Sequence, residues 1–462
     1  MTHSNKSTKY HPAIIVPGVT DVNRGDQALV WEAASLAMEL EIAEEIYLLD
    51  VGESQEELTS QTCQTMKLGY KTLRRILPHP RRGRHRADDK INDSSFSLLA
   101  VIFYSLKDWL WGELFLLLTP FPNLAKLFLG KDEYKTYLIF RAAKVMIVKG
   151  GGFLHSYGGI RSVYYIWYQL FYFRLAHRLN CPVIVLPNSF GPFEGMYIKP
   201  QVRQVLSKCL FVAARESISA KVLEGIIRRP VPVFPDMGYF LKSSESQVGE
   251  RLCLDFNVPL KQRPCVAITV RPYRFPEITD PQLAFTRYLD AMCELVVYIV
   301  TKGFYPVFVT HVAGPSAHED DRLAIREIVD RLEKDIQYSW IDFSGDCRDI
   351  KAVYGCMDYL IGTRFHSVIF AQDMGVPCLA IAYGGNKSTG IMDDMGLGNY
   401  VVPIDQVSGA LLCRKFDLLV DNRLEIKAKM RLWCEDAVSR RKIMLDTIAS
   451  LFTNATGKTG HH

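Results

Sequence analysis

The feature that most constrains the fold is an alternation that runs along most of the chain. A short apolar run is followed by a polar or glycine-rich loop and then by a helical pattern. The first example is 13–17, followed by the loop GVTDVNRGDQ and the helical pattern ALVWEAASLAMELEIA. Further apolar runs lie at 45–49 and in KVMIVKG, PVIVLPNSFG and CLFVAARES. Strands that alternate with helices predict a mostly parallel β-sheet with helices on its faces.

The alternation stops and then restarts, which predicts two domains. Residues 242–264 are polar and lack a clear pattern, and CVAITVRPY then begins a second series of strands. A chain of 462 residues is also too long for one ordinary core. We predict an α/β fold with Rossmann-like domains at 1–245 and 246–452, the second ending in a C-terminal helix. Two such domains facing a cleft resemble the GT-B architecture, in which ligands bind at the carboxyl ends of the strands.

Composition excludes several classes of protein. The net charge of +5 is small and the basic residues are mostly dispersed, which argues against a nucleic-acid partner. Eleven cysteines have irregular spacing without a Cys-x-x-Cys pair, so neither a disulfide framework nor a Cys-rich zinc site is expected. His311 and His318 also lack metal-ligand spacing, and no metal is expected. The polar N-terminus has no signal-peptide pattern, and we expect a cytoplasmic location.

One segment, at 70–130, departs from the alternation and is interpreted as an insert in the first domain. Its first part, 74–86, is rich in arginine, and 96–129 is the most apolar part of the chain. The uninterrupted apolar runs are shorter than the roughly 20 residues that a membrane span needs. Cations followed by leucines and aromatics are typical of an interfacial anchor, so we expect peripheral contact with the inner face of the cell membrane. The alternatives are a helical hairpin packed on the first domain and a dimer contact.

The strongest candidate site lies in the second half, where two successive strand ends carry cations. The sequence GTRFHS follows a predicted strand and precedes a helix, whose free N–H groups favour an anion. Arg364 can clamp phosphate or carboxylate, and His366, beyond Phe365, can exchange a proton near neutral pH. The next strand ends in YGGNKS, which should bring Asn386 and Lys387 to the same pocket. An Arg-x-His pair alone would be explained by bonds to loop carbonyls, but the lysine loop favours a functional site.

Two loops of the first half also place candidate residues at strand ends. Asn23 and Asp26 lie before the first helix, where Asp26 can cap the helix, orient a sugar hydroxyl or act as a base. Gly151 and Gly152 belong to a triple-glycine loop after a middle strand. They allow the backbone to approach a ligand closely, although a tight turn explains them equally well.

Three further strand ends carry charged residues. Arg215 and Glu216 end a strand of the first half, where Arg215 can reach the cleft as an anion clamp or form a surface pair with Glu216. Asp236 follows the next strand and is interpreted as the cap of a turn. Arg271 and Arg274 end the first strand of the second half, where they would add positive potential to the cleft or bind a nucleotide diphosphate.

In their order and spacing, these motifs resemble the polysaccharide pyruvyl transferase family. They are Asn-x-Gly-Asp, the triple glycine, Ala-Arg-Glu-Ser, Pro-Asp, Gly-Thr-Arg-Phe-His-Ser and Tyr-Gly-Gly-Asn-Lys, and they span both halves. The resemblance implies that phosphoenolpyruvate, as co-substrate and without a further cofactor, gives its pyruvyl group to two hydroxyls of one sugar. Phosphate is released and a ketal is formed in cell-surface polysaccharide biosynthesis. The insert is less well matched.

The resemblance also assigns roles to individual residues. Arg364 and His366 would bind the donor, with Phe365 where the family often has leucine. Arg215 matches a second donor-binding arginine and Lys387 a functional lysine. Attack at C2 of phosphoenolpyruvate needs a proton at C3, for which His366 is the candidate acid. Preorganised cations would stabilise the departing phosphate.

The sequence leaves several alternatives open. Asp26 and Glu216 are both candidates for the base that takes the sugar proton. The acceptor is expected to be a lipid-linked sugar, if the insert contacts a membrane. The main alternative function is a GT-B glycosyltransferase with a nucleotide-sugar donor, in which Arg271 would bind the diphosphate. A second alternative is a non-catalytic, membrane-docked assembly factor for polysaccharide synthesis.

Overall fold

The computed structural model describes residues 12–18, 20–49, 55–78, 80, 98–276, 278–384 and 387–457. Within these residues, two parallel β-sheets are each flanked by helices, so the predicted fold class is confirmed. The boundary between residues 245 and 246 stays a prediction.

The first sheet is built from seven strands among the described residues, in the order β3-β2-β1-β4-β6-β5, with β7 also pairing with β6. All of its pairings are parallel. The strands are β1 (Pro12–Val16), β2 (Glu45–Leu49), β3 (Lys71–Leu73), β4 (Val145–Val148), β5 (Gly151–Tyr157), β6 (Val183–Glu194) and β7 (Phe211–Ala214). The helices of this half are α1 (Arg24–Glu39), α2 (Gln55–Lys67), α3 (Leu98–Leu118), α4 (Pro122–Phe128), α5 (Lys131–Ala142), α6 (Ile160–Arg178), α7 (Ile198–Leu206) and α8 (Ser217–Ile227).

The second sheet, in the part of the chain that is described, has six parallel strands in the order β10-β9-β8-β11-β12-β13. After helix α9 (Ser246–Asp255), its strands are β8 (Cys265–Thr269), β9 (Tyr305–Val309), β10 (Ser339–Ile341), β11 (Tyr359–Gly362), β12 (Cys378–Ala382) and β13 (Val401–Pro403). The helices are α10 (Pro281–Thr301), α11 (Asp321–Val329), α12 (Cys347–Gly355), α13 (Phe365–Asp373), α14 (Lys387–Asp394), α15 (Gly409–Asp421) and α16 (Arg423–Gly457).

The core follows from the alternation of side chains along each strand. In β1, Ala13 and Ile15 join a core that continues into the second sheet, whereas Ile14 and Val16 face the helices on the other side. All five residues of β1 are buried, as expected for a strand covered on both faces. One core is therefore shared by the two sheets, and the other belongs to the first sheet alone.

One expectation about local structure is wrong. The triple glycine is not a simple loop, because Gly151 and Gly152 begin β5, which pairs with β6. Gly151 has a φ of 135°, a conformation that favours glycine. The stretch 242–264, whose sequence lacks a clear pattern, contains α9. Gly249 of α9 packs so closely on α12 that an added β-carbon would lie 2.7 Å from the Ala352 carbonyl carbon. This stretch is therefore part of a packed layer.

The insert contributes β3 at the edge of the first sheet and then α3 and α4, and α5 follows it. One face of α3 packs on α6, with Phe115 fully buried and its ring 6.4 Å from the Phe171 ring. Most of the basic run at 74–86 lies outside the described residues. Of the helices that are described, none is both long enough and apolar enough to cross a membrane.

The two halves are joined by direct contacts at both ends of α1. Asn23, the N-cap of α1, forms an isolated antiparallel bridge with Val312 of the second half. The long C-terminal helix α16 returns to the first half, where Arg441 donates to Glu39, the last residue of α1, at 2.6 Å. These contacts tie α1 to the second half.

Candidate active site

A cleft of about 460 Å³ lies between the carboxyl ends of the two sheets. Its walls include residues within two positions of the ends of β1, β4 and β7 on one side and of β8, β9, β11 and β12 on the other. Parallel strands bring their carboxyl ends to the same edge, so residues far apart in sequence meet here. The predicted site residues that line the cleft are Asn23, Asp26, Gly151, Gly152, Arg215, Arg271, Arg364, Phe365 and His366.

Asp26 lies in the first turn of α1 but does not cap it. The N-cap is Asn23, whose side-chain oxygen accepts from the backbone N–H groups of Gly25 and Asp26 at 3.2 Å. The carboxylate of Asp26 instead accepts from Lys149 Nζ at 2.6 Å and from Asn23 Nδ2 at 2.9 Å. Lys149 is almost fully buried, whereas the Asp26 side chain is 37% exposed. Asp26 is therefore a fixed carboxylate that is open to the cleft.

Arg215 lines the cleft and is buried, so it does not form a surface pair with Glu216. Its Nη1 donates to Asp236 Oδ2 at 2.6 Å, and its Nε donates to Ser189 Oγ at 2.7 Å. Burial alone would raise the pKa of Asp236, but the neighbouring charges of Arg215 and His366 hold it below its ordinary value. Asp236 also accepts from the Gly238 backbone N–H at 2.7 Å, so it caps a turn and binds an arginine.

Glu216 is turned away from the cleft, although it follows Arg215 directly. It is fully buried, accepts from Ser189 Oγ at 3.0 Å and from Ser219 Oγ, and is absent from the residues that line the cleft. Burial raises its pKa. Helix α14 covers it so closely that a β-carbon added at Gly390 would lie 3.0 Å from Glu216 Cβ. The structure therefore does not bring Glu216 to the position expected of a base in the cleft.

His366 connects the two halves of the site. It lies in the first turn of α13, with Nε2 3.9 Å from Asp236 Oδ1 of the first half. Gly25 of α1 packs on the other side of the ring, since a β-carbon added there would lie 2.6 Å from His366 Cγ. The imidazole is thus placed by both sheets, with a carboxylate on one side and the start of α1 on the other.

Arg364 is held by a carboxylate of the second half. Its Nε donates to Asp321 Oδ1 at 2.7 Å, and its Nη2 donates to the Glu319 carbonyl at 2.6 Å. Burial raises the pKa of Asp321 to about 6. The guanidinium lines the cleft while these bonds fix its plane.

A second histidine, His311, lines the cleft beyond β9. It is buried, with Nδ1 3.0 Å from Tyr354 Oη. Among the described residues, its buried Nε2 has no hydrogen-bond partner. Burial, together with the charges of His366 and Arg364, lowers the pKa of His311 well below its ordinary value. The cleft therefore contains one histidine beside a carboxylate and one that is kept neutral.

Arg271 follows β8 and lies on the ring of Tyr383, with its guanidinium carbon 4.0 Å from the ring centroid. Tyr383 directly follows β12 and is the first residue of the predicted lysine loop. Asn386 lies outside the described residues. Lys387 begins α14, but its side chain is not among those described, so its placement in the cleft stays a prediction.

Three features of the site were not predicted from the sequence. They are Lys149, Asp321 and the position of His311 in the cleft. A lysine at the end of the buried strand β4 was a usable signal, because a buried cation requires a partner. Asp321 had no signal, since it lies in an acidic run that is typical of an exposed helix start. Among the described residues, no group of three His, Cys, Asp or Glu side chains could hold a metal ion.

Solved structures share this fold at low sequence identity. The chain matches UGT73P12 of Glycyrrhiza uralensis with a TM-score of 0.56 and 10% identity, over 97% of this chain and 98% of that chain. It matches the UDP-GlcNAc 2-epimerase of Neisseria meningitidis with a TM-score of 0.51 and 13% identity, over 95% of this chain and 100% of that chain. At these identities, the likeness shows the GT-B-like fold alone.

Sequence comparison identifies the family as well as the fold. The amylovoran biosynthesis protein AmsJ of Erwinia amylovora is 25% identical over 280 residues, which are 58% of this chain and 66% of that protein. The chain thus spans slightly less than two thirds of the length of this relative. The model of the polysaccharide pyruvyl transferase family matches residues 65–385, more than half of the chain. The chain therefore belongs to the polysaccharide pyruvyl transferase family.

Proposed function

We propose that the protein transfers the pyruvyl group of phosphoenolpyruvate to two hydroxyls of a sugar, as a step of cell-surface polysaccharide biosynthesis. The observation that carries the proposal is the meeting of His366 with Asp236, at 3.9 Å, in a cleft that also contains Arg215 and Arg364. A proton donor and several cations suit a substrate with a phosphate and a carboxylate. The family match and the amylovoran biosynthesis relative support the same class of reaction.

In the proposed reaction, the first sugar hydroxyl adds to C2 of phosphoenolpyruvate. Asp26 takes the hydroxyl proton, and C3 takes a proton from His366 and becomes a methyl group. The bond from C2 to the phosphate oxygen then breaks, and the phosphate leaves with its electron pair. The second hydroxyl closes the ketal at C2 and gives its proton to the departing phosphate. Asp26 is preferred to Glu216 as base because it is open to the cleft.

The chain's cations are proposed to bind the donor. Arg364, Arg215 and, as the family resemblance implies, Lys387 would hold its phosphate and carboxylate beside the start of α13. The scheme assigns no step to a metal or cofactor. The acceptor is proposed to be a lipid-linked sugar, met by a protein that is peripheral on the inner face of the cell membrane.

The proposal is tested by measuring phosphate release from phosphoenolpyruvate in the presence of free, nucleotide-linked or lipid-linked sugars. We expect His366→Ala to lose about 100-fold or more in turnover with an unchanged unfolding transition. The matched control is His177→Ala, at the end of α6 and outside the cleft, which should keep wild-type turnover. If a nucleotide sugar releases a nucleoside diphosphate and phosphoenolpyruvate releases no phosphate, the protein is a glycosyltransferase instead. If cells that carry His366→Ala make the polysaccharide as wild-type cells do, the protein is an assembly factor.

A further inference from the structure

One face of α3 and α4 exposes large apolar side chains at intervals of three or four residues along α3. Such spacing places them on one side of the helix. These side chains, called here the apolar row, are each between 44% and 80% exposed: Phe103, Leu106, Leu110, Leu114, Leu117 and, on α4, Leu127. A continuous row of this kind is rare on a protein surface without a partner.

The opposite face of α3 is firmly anchored, so the apolar row is a fixed surface. Glu113 accepts from Trp167 Nε1 at 2.7 Å and from Arg174 Nη2 at 2.6 Å on α6. Gly112 packs against the same tryptophan, since an added β-carbon would lie 2.8 Å from its ring. The exposure of the row therefore follows from how α3 is held on the first domain.

A second cavity, of about 310 Å³, lies between α3 and the segment that follows β3. The residues that line it are Ile76, Pro78, Tyr104, Lys107, Asp108 and Trp111. Its wall toward the cleft is the segment after β3, where Arg75 lines the cleft. The Ile76 backbone N–H donates to the hydroxyl of Tyr172, another cleft residue, at 2.9 Å. The second cavity thus adjoins α3, which carries the apolar row, on one side and the segment that lines the cleft on the other.

The charges around the apolar row indicate what covers it. Lys107 and Lys126 are exposed on α3 and α4. Both carboxylates of α3 are bound to α6, because Glu113 accepts from Arg174 Nη2 at 2.6 Å and Asp108 accepts from Tyr164 Oη at 2.7 Å. A second copy packed on this face would bring the lysines of both copies into one interface, where the carboxylates of α3 already have partners. An anionic bilayer instead offers hydrocarbon to the leucines and phosphates to the lysines.

We propose that the apolar row rests on a lipid bilayer and that the second cavity takes the phosphate linker of a lipid-linked acceptor. The linker meets Lys107, and the attached sugar passes Arg75 to reach the cleft. The inference rests on the proposed function for the identity of the acceptor, and it adds the route by which a membrane-bound sugar enters the site.

Vesicle flotation tests the docking surface. The wild-type chain should float with phosphatidylcholine vesicles that contain phosphatidylglycerol, and less with pure phosphatidylcholine. Leu110→Glu with Leu117→Glu should lower the vesicle-bound fraction by about tenfold or more, because two leucines that the bilayer would bury become charged. The control is Leu254→Glu with Leu424→Glu, at sites on α9 and α16 that are 66% and 83% exposed, which should float like wild type. A wild-type chain that does not float, or a row variant that floats equally well, overturns the proposal.

Two further readouts separate the possible failures. Lys107→Ala should raise the KM for a lipid-linked acceptor by about tenfold and leave the KM for the same sugar without its lipid unchanged. Equal effects on both acceptors would overturn the role of the cavity. If the row variant splits a dimer in sedimentation without changing flotation, the face is an interface between copies and the proposal is wrong. Normal flotation without phosphate release from phosphoenolpyruvate would instead reject the proposed reaction and leave the docking surface standing.

Discussion

Gly25 lies in the first turn of α1 against the His366 ring, and Gly25→Ala would press a methyl group into that ring. The added β-carbon would lie 2.6 Å from Cγ and 2.7 Å from Cβ of His366. Carbon atoms pack at about 3.5–4.0 Å, so α1 and His366 must separate by about 1 Å. Because Cβ of His366 is itself in contact, rotating the ring alone does not relieve the clash.

The substitution should therefore affect turnover much more than stability. A displacement of about 1 Å in a reacting group lowers the rate about 100-fold. Overpacking costs about 1–3 kcal/mol, and the preference of a helix for alanine offsets up to about 1 kcal/mol of that. We expect Gly25→Ala to retain a free energy of unfolding within about 2 kcal/mol of wild type while its turnover falls about 100-fold.

Phosphate release from phosphoenolpyruvate measures the turnover, and urea titration measures the free energy of unfolding. Gly225→Ala is the matched control, because Gly225 also lies in a helix, α8, and no described atom lies within 4 Å of a β-carbon added there. It should keep wild-type turnover and gain slightly in stability. Wild-type turnover in a folded Gly25→Ala protein would refute the reasoning that the close approach of α1 positions His366.

Two further predictions concern buried charges. Burial raises the pKa of Glu32 to about 7, so the stability that its neutral form provides is present below about pH 4.5 and is lost as the pH rises through about 7. Glu32→Gln should therefore raise the free energy of unfolding by about 3 kcal/mol above about pH 7 and leave it unchanged below about pH 4.5. Urea titrations at a series of pH values measure this difference. A difference that does not depend on pH would contradict the assignment. Lys149→Met should lower turnover about tenfold with little change in the KM for phosphoenolpyruvate, because Asp26 loses the partner 2.6 Å away that orients it. Unchanged turnover would show that the pair does not act in catalysis.

The strand ends and their polar residues could be read from the sequence because they depend on local pattern. An apolar run followed by a loop and a helix predicts which residues reach the sheet edge, and Asp26, Arg215 and Arg364 do line the cleft. The direction of a side chain at that edge could not be read in the same way. Arg215 and Glu216 are neighbours, yet one lines the cleft and the other lies under α14. That choice depends on tertiary packing.

The partners of the site residues were equally hidden from the sequence. Lys149 pairs with Asp26 across 123 residues of chain, and Asp321 pairs with Arg364 across 43. Such pairs follow from the order of strands in a sheet, and local pattern does not determine that order. Two of the regular elements that were not predicted from the sequence, β5 and α9, have a related cause, because glycine-rich and polar segments form regular structure here only through their neighbours.

Several cations of the cleft already form ion pairs, and this affects which of them we expect to bind the charged groups of the donor. Lys149, Arg215 and Arg364 each have a carboxylate oxygen within 2.7 Å. An anion that displaced Asp236 or Asp321 from its arginine would leave that buried carboxylate without compensation, which is strongly unfavourable. Arg271 differs, because among the described residues it forms no ion pair and rests on the ring of Tyr383. We therefore expect Arg271 to meet the donor's charge directly, while the paired arginines offer their remaining N–H groups and set the geometry. Arg271, which first suggested a nucleotide diphosphate, is thus proposed to bind phosphoenolpyruvate.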